Sequence, residues 1–142
     1  MADTLTPAER SERMSRIHGK GSVPEIKLRH LVHGMGFRYR LHRGDLPGKP
    51  DLVFPGRRAV IFMHGCFWHR HDGCKLARLP KSKLDFWETK LEANKRRDTI
   101  HQQQLQALGW RVLVIWECEM ARLDEVAARV RSFLLEQEDA LT

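Results

Sequence analysis

The chain has 142 residues, enough for one domain at roughly 100–200 residues per domain, and 42% hydrophobic against 30% charged residues excludes a disordered polymer. No apolar run approaches the roughly 18–20 residues of a membrane span, and the opening stretch MADTLTPAERSERM lacks the apolar core of an export signal, so the expected location is the cytoplasm. Twenty-five Lys and Arg against 18 Asp and Glu give a net charge of +7, and a small domain this basic attracts polyanions, nucleic acid first.

Residues 1–21 read as a polar arm. Arg10, Arg13, Arg16 and Lys20 recur every three or four residues around Met14 and Ile17. Such an arm either frays or orders on nucleic acid. From residue 22 onward the chain reads as a single domain, 22–142. Ser22-Val23-Pro24-Glu25 is a helix start, with Ser22 as N-cap, Pro24 in the first turn and Glu25 as capping-box partner. Leu28, Leu31, Val32 and Met35 give that helix one apolar face, and Gly34 and Gly36 end it.

Phe37, Tyr39 and Leu41 then alternate with Arg38, Arg40 and His42, the pattern of a half-buried strand. After a loop over 43–50, residues 51–54 read as a second short strand and Pro55-Gly56 as a turn. Residues 59–62 form a third strand, apolar throughout and so expected to be buried. Residues 63–82 make a loop rich in Cys, His and basic side chains.

The spacing next predicts a long helix over 84–108. Leu84, Trp87, Leu91, Asn94, Asp98, His101, Leu105 and Leu108 recur at three and four and share one face, expected to look into the core. The middle of that face is polar, and a carboxylate there, Asp98, needs a partner or a metal. Gly109 ends the helix, residues 111–116 form an apolar strand expected to be central, and Leu123, Val126, Val130, Phe133 and Leu134 mark an amphipathic last helix. The order helix, three strands, helix, strand, helix predicts an α/β fold. Three strands form a meander, and a crossover helix brings back a fourth, parallel to a neighbour, in a mixed sheet flanked by helices. Trp110 and Trp116 are expected in its core.

Three cysteines, an odd number in a chain without an export signal, argue against a disulfide framework. Cys66, His71 and Cys74 lie in one loop, and Cys118 follows the fourth strand. Three thiolates and an imidazole suit tetrahedral zinc in a closed, structural site tying loop to strand. The spacing is not that of the commonest paired CxxC finger, and the alternative is an ordinary buried thiol at Cys118. His69 is left over, as a substitute ligand, a surface residue or a catalytic base.

Asp51 is the one carboxylate within the three short strands. The end of the third strand, Phe62-Met63-His64, lies beside it in a hairpin. Asp51, the backbone carbonyl of Met63 and His64 thus come within reach of one point. Hard oxygen ligands suit Mg²⁺, which against a scissile phosphate stabilises charge, while a histidine takes the proton of water. Singly, Asp51 also fits a turn cap, Glu25 a capping box and Asp98 an arginine partner. Their gathering toward one edge of the fold is what favours a site.

Leu46-Pro47-Gly48-Lys49-Pro50-Asp51, the run Val60-Ile61-Phe62-Met63-His64-Gly65-Cys66-Phe67-Trp68-His69-Arg70-His71, and Gly109-Trp110-Arg111-Val112-Leu113-Val114-Ile115-Trp116-Glu117-Cys118 closely resemble the bacterial very short patch repair (Vsr) endonucleases. The likeness runs from Met14 to Cys118, gaps included. It implies the restriction-endonuclease-like fold and an enzyme that nicks DNA 5′ to the T of a T:G mismatch left by deamination of 5-methylcytosine. By the same resemblance, Asp51 and the Met63 carbonyl hold Mg²⁺, His69 is the general base oriented by Asp98, and His64 and Glu25 complete the catalytic site. Cys66, His71, Cys74 and Cys118 hold structural zinc. Phe67, Trp68 and Trp87 wedge into the DNA beside the mismatch, and Met14 enters from the other groove. The implied setting is a bacterial cytoplasm, near the nucleoid, with a monomer acting on mismatched duplex beside mismatch-repair proteins.

The commoner nucleases of this fold carry an acid and a lysine at the end of the third strand, where this chain has Phe62 and His64. That departure fits the Vsr pattern rather than a generic restriction-type mechanism. The competing readings are another DNA nuclease of the same fold and a non-catalytic, zinc-stapled DNA-binding module. Asp51, His64, His69 and Asp98 together argue against the binding module.

Overall fold

The computed structural model describes residues 23–41, 43–69, 71–74, 77, 79 and 81–141. The basic arm with Met14, and the Ser22 cap, lie outside the described residues. The amphipathic segment after Pro24 forms α1, Val23–Gly34, which buries Leu28 and Val32 completely. Its exit is the expected glycine turn: Gly36 takes φ +94°, a left-handed step that penalises any residue with a Cβ.

Four strands follow: β1 (Arg40–Leu41), β2 (Leu52–Phe54), β3 (Ala59–His64) and β4 (Arg111–Trp116). Between β3 and β4 runs α2, Leu84–Ala107, and after β4 comes α3, Leu123–Leu141. One 3₁₀ turn, Pro55–Arg57, joins β2 to β3, and another, Glu117–Ala121, leads from β4 to α3. The sheet order is β1-β2-β3-β4, antiparallel for the first two pairings and parallel for β3 with β4. This is the meander, crossover helix and parallel return that the pattern predicts. Among the described residues no helix is long and apolar enough to cross a membrane.

Alternation along the strands splits the core into two layers. Leu52, Phe54, Ala59, Ile61, Met63 and Ile115 face Leu28 and Val32 of α1 and Val126, Val130 and Leu134 of α3. Val53, Val60 and Phe62 face the other way, onto Leu46, Leu105 and Trp110. With helices on both sides, β3 is buried along all six residues, as its apolar run requires.

Three expectations need correction. The first strand pairs only at Arg40–Leu41, and Leu41 is 39% exposed, because β2 offers only three paired residues and β1 lies at the sheet edge. The long helix does not bury its whole stripe: Leu91 and Leu105 are fully buried, but Leu84 is 43% and Leu108 55% exposed. A helix of 24 residues spans about 36 Å at 1.5 Å per residue, whereas a six-residue strand spans about 20 Å, so both helix ends overshoot the sheet. Finally, Trp110 is core at 6% exposure, but Trp116 is half-buried and lies among histidines.

Candidate active site and metal centre

The strand register assembles the site. In the parallel pair, His64 lies opposite Trp116, so β3 and β4 finish together, although β4 is an edge strand rather than the central one that its apolar run suggests. β2 runs antiparallel to β3, with Leu52 opposite Ile61, so β2 starts at the edge where β3 ends. Asp51, His64, the loop after β3 and the turn after β4 therefore gather at one edge.

Asp51 Oδ2 accepts the backbone N–H of Met63 at 2.6 Å. Its carboxyl also hydrogen-bonds that of Glu25, which is 3% exposed on α1 and paired with Arg29 one turn along. Burial and the facing Glu25 carboxyl push Asp51 up to about 8, despite the Met63 N–H and Arg29. Two carboxyls facing each other in a buried place are a ready cation site. Sequence placed Asp51, Met63 and Glu25 in one region, and the structure brings all three into contact.

His64 is 4% exposed. Burial, with the neighbouring His69 adding to it and Asp98 opposing, holds its imidazole down at about 3, so it is neutral at physiological pH. Its ring stacks on that of His69 at 3.9 Å and 4°. Nδ1 of His69 lies 2.5 Å from Oδ2 of Asp98, which reaches across from the polar stretch of α2. That contact supplies the partner the carboxylate needs. One turn earlier on α2, Asn94 Nδ2 donates to the Trp68 carbonyl at 3.3 Å and tethers the loop to the helix. His64, His69 and Asp98 offer ligand atoms within 4.8 Å of one another. Parallel rings point their nitrogens along parallel planes rather than at one ion, so this group is better built to orient and move a proton.

The second cluster is the Cys66, His71, Cys74 and Cys118 set, with one ligand atom from each lying within 4.8 Å of the others. Tetrahedral ligands on zinc–sulfur bonds of about 2.3 Å lie about 3.8 Å apart, so the four residues fit zinc closely. The loop reaches this shape through tight turns: His71 N–H donates to Cys66 O at 2.9 Å, and Cys74 N–H to His71 O at 3.4 Å. Glu117 Oε1 accepts the Cys66 N–H at 3.3 Å, tying the loop to the turn after β4. Burial pushes the Cys66 thiol up to about 12 and the Cys118 thiol upward too. A divalent cation among them reverses that cost by favouring the thiolates.

Beside these clusters Phe67, Trp68 and Trp87 pack edge-to-face, with centroids 5.2–6.1 Å apart. All three are half-buried. The structure adds Phe86, which the sequence reading did not single out. It is 56% exposed, lies 5.2 Å from Trp87 and has Lys90 Nζ 5.9 Å from its ring. Its place next to Trp87 but off the apolar stripe was the signal. Trp116, expected in the core, lies instead beside His64 and His71, a placement that its apolar strand does not reveal.

A family profile described as DNA mismatch endonuclease Vsr matches residues 2–75. The chain is 51% identical to the Type II nicking enzyme V.XorIIP of Xanthomonas oryzae pv. oryzae over 134 residues, 94% of this chain and 98% of the relative. It is 39% identical to the DNA mismatch endonuclease Vsr of Escherichia coli K12 over 137 residues, 96% of this chain and 87% of the relative. Among solved structures, the homing endonuclease I-Bth0305I catalytic domain shares the fold at a TM-score of 0.57 and 17% identity, covering 82% of this chain and 98% of that domain.

Proposed function

The chain belongs to the Vsr family of DNA mismatch endonucleases, and from that premise we propose that it nicks duplex DNA 5′ to the thymine of a T:G mismatch, using Mg²⁺. The observation that carries this reading is the convergence at one sheet edge of the Asp51–Glu25 pair, His64 and the His69–Asp98 pair, with the Phe67–Trp68–Trp87 cluster alongside. The reading takes residues 22–142 as the nuclease domain of a cytoplasmic, nucleoid-associated monomer and residues 1–21, with Met14, as an arm on the DNA.

Asp51 and the Met63 carbonyl are the ligands for Mg²⁺, and the buried carboxyl pair is the donor set that fits it. When bound, the ion supplies positive charge beside the scissile phosphate. The protein's own residues do the rest. With Nδ1–H of His69 directed to Asp98, Nε2 is the basic nitrogen and takes the proton of the attacking water. Neutral, buried His64 stacks behind it and donates to phosphate oxygen. Glu25 holds Asp51 in place. Cys66, His71, Cys74 and Cys118 would hold zinc, which would fix the loop that carries His69. Phe67, Trp68 and Trp87 enter the stack at the mismatch, where unstacking costs least.

The test is a nicking assay with Mg²⁺ on duplexes carrying one T:G mismatch in randomised flanks, each strand end-labelled in turn, beside T:A and C:G controls. Cutting of the T strand alone, 5′ to T and abolished by EDTA, is the expected result. Cutting of matched duplexes assigns a different nuclease specificity, and binding without cutting assigns a DNA-binding module.

A further inference from the structure

Four rings run in continuous contact from the proposed base to the proposed zinc ligands. His69 stacks on His64 at 3.9 Å and 4°. His64 meets the Trp116 indole edge-to-face, with centroids 5.1 Å apart at 77°. Trp116 in turn stacks on His71 at 4.1 Å and 7°, and His71 Nδ1 lies 3.5 Å from Cys118 Sγ. The two pairs His69/Asp98 and His71/Cys118 close the row at either end.

The backbone holds this row in place from several directions. Strand register sets Trp116 directly opposite His64. The Trp116 N–H donates to Glu119 Oε1 at 3.0 Å, and the other oxygen of Glu119 pairs with Arg129 of α3. Trp116 is thus pinned at its main chain while one ring face is covered by an imidazole from the metal loop. Trp110, on the same strand approach, packs with Leu46, Val53, Val60, Phe62 and Leu105 as ordinary core. Trp116 has aromatic, titratable neighbours instead, and a side chain filling space alone has no need of two nearly parallel imidazole stacks at the ends of its contacts.

We propose that Trp116 is a positioning residue for strand cleavage, its indole bracing His64, and through it His69, against the loop that the four-ligand metal cluster fixes. The proposal rests on the mismatch-nicking reading. Rotation of an unsupported His64 lets the His69 ring tilt away from Asp98, and misplacement on the scale of an ångström costs about a hundredfold in rate. Duplex binding, which relies on basic and aromatic surface elsewhere, keeps its strength.

The experiment uses the zinc-loaded full chain in three forms, Trp116→Leu, Trp116→Phe and His71→Cys, the last keeping a metal-binding side chain while removing the stacked ring. Zinc content, KM and kcat on the T:G duplex, and the ¹⁵N–¹H ring signals of His64 and His69 are measured. Trp116→Leu is expected to retain zinc and KM within about twofold while kcat falls about ten- to a hundredfold. Trp116→Phe recovers most of that loss, and His71→Cys loses kcat with its zinc retained. A folded Trp116→Leu with parental kcat overturns the proposal, as does a loss of kcat only in step with zinc and KM. Should Trp116→Leu fail to fold, parental kcat in both other variants overturns it. If the parent chain does not nick the T:G duplex, the functional reading fails separately. The bracing is then decided by the His69 Nδ1–H signal: it is lost in Trp116→Leu (in His71→Cys, should Trp116→Leu not fold) and kept in Trp116→Phe if the bracing holds, and kept in every variant if it does not.

Discussion

Oδ2 of Asp98 lies 2.5 Å from Nδ1 of His69, across 29 residues of sequence. The contact fixes the imidazole's orientation and its tautomer. Asp98→Asn keeps the shape but removes the charge and can hold the ring in the wrong tautomer. It is expected to lower kcat by about 10²–10⁴-fold, the usual worth of a positioned general base, with KM little changed. His69→Ala should cost a similar factor, and the double variant little more than either alone, because the two act as a unit. Additive losses in a double-mutant cycle contradict the pairing.

Asp51 predicts a proton released on metal binding. Its carboxyl is raised by burial and by Glu25 to about 8, so the metal-free fold keeps a proton that the unfolded chain gives up near pH 4. That contribution to stability is complete below pH 4 and is lost as pH rises through about 8. Mg²⁺ must displace the same proton, so its affinity climbs between pH 6 and 8 and then levels off. Titration calorimetry at pH 7 in buffers of different ionisation heat should show uptake of about one proton by the buffer per Mg²⁺ bound. Asp51→Asn should abolish both this release and nicking while mismatched duplex still binds. Buffer-independent heat in the parent protein contradicts the assignment.

In the proposed zinc site Cys118, within the turn after β4, joins that turn to the loop carrying Cys66, His71 and Cys74, so its loss should be felt as unfolding of the loop. Cys118→Ser leaves three of the four ligands and is expected to lower zinc content well below one per chain and Tm by about 10 °C. Chelation of the parent protein should reproduce the Tm shift, and the variant should then no longer respond to chelator. An unchanged Tm with zinc retained places Cys118 outside the cluster.

The elements legible in the sequence are those governed by local periodicity. The apolar run of β3 announced its burial, Gly36 and Gly109 marked helix ends, and the order of elements gave the mixed sheet. The gathering of Cys66, His71, Cys74 and Cys118 was legible as chemistry, because three thiols and an imidazole offer a zinc-type donor set. Less legible was whatever depends on strand register or relative length. Nothing in residues 111–116 says that Trp116 will stand opposite His64, since pairing partners are set across the sheet. The stripe of α2 shows one face but not that the helix outruns the strands, which leaves Leu84 and Leu108 exposed. His69 had three readings until Asp98, supplied by a distant helix, oriented it. The role of base proposed for it rests on the family resemblance, not on spacing.

Trp68 should govern discrimination more than affinity. Base–aromatic stacking is worth about 1–3 kcal/mol, so Trp68→Ala is expected to reduce the T:G over T:A preference by about 5- to 150-fold while affinity for matched duplex changes little. Its packing against Phe67 and Trp87 makes Trp87→Ala partly redundant with it, and less than additive in the pair. Equal losses on matched and mismatched duplexes would make the cluster ordinary packing.

Gly48 links the loop before Asp51 to the helix that carries Asp98. It has φ +76°, and a Cβ added there meets His101 Cβ at 3.0 Å and Nδ1 at 3.1 Å. Both the left-handed backbone and the lack of room oppose a side chain. Gly48→Ala is therefore expected to destabilise the protein by about 1–3 kcal/mol, read as a lower denaturant midpoint at constant slope. His101 sits one turn beyond Asp98, so the same displacement pushes the loop and the helix apart on either side of the site. The kcat should fall further than the unfolded fraction accounts for. His101→Ala removes the ring atoms but keeps the Cβ that lies nearest, at 3.0 Å, and does not relieve the backbone, so combined with Gly48→Ala it should restore only a small part of either loss. If Gly48→Ala alone has parental stability and kcat, the loop yields freely and the close approach of Gly48 to His101 has no part in placing Asp51.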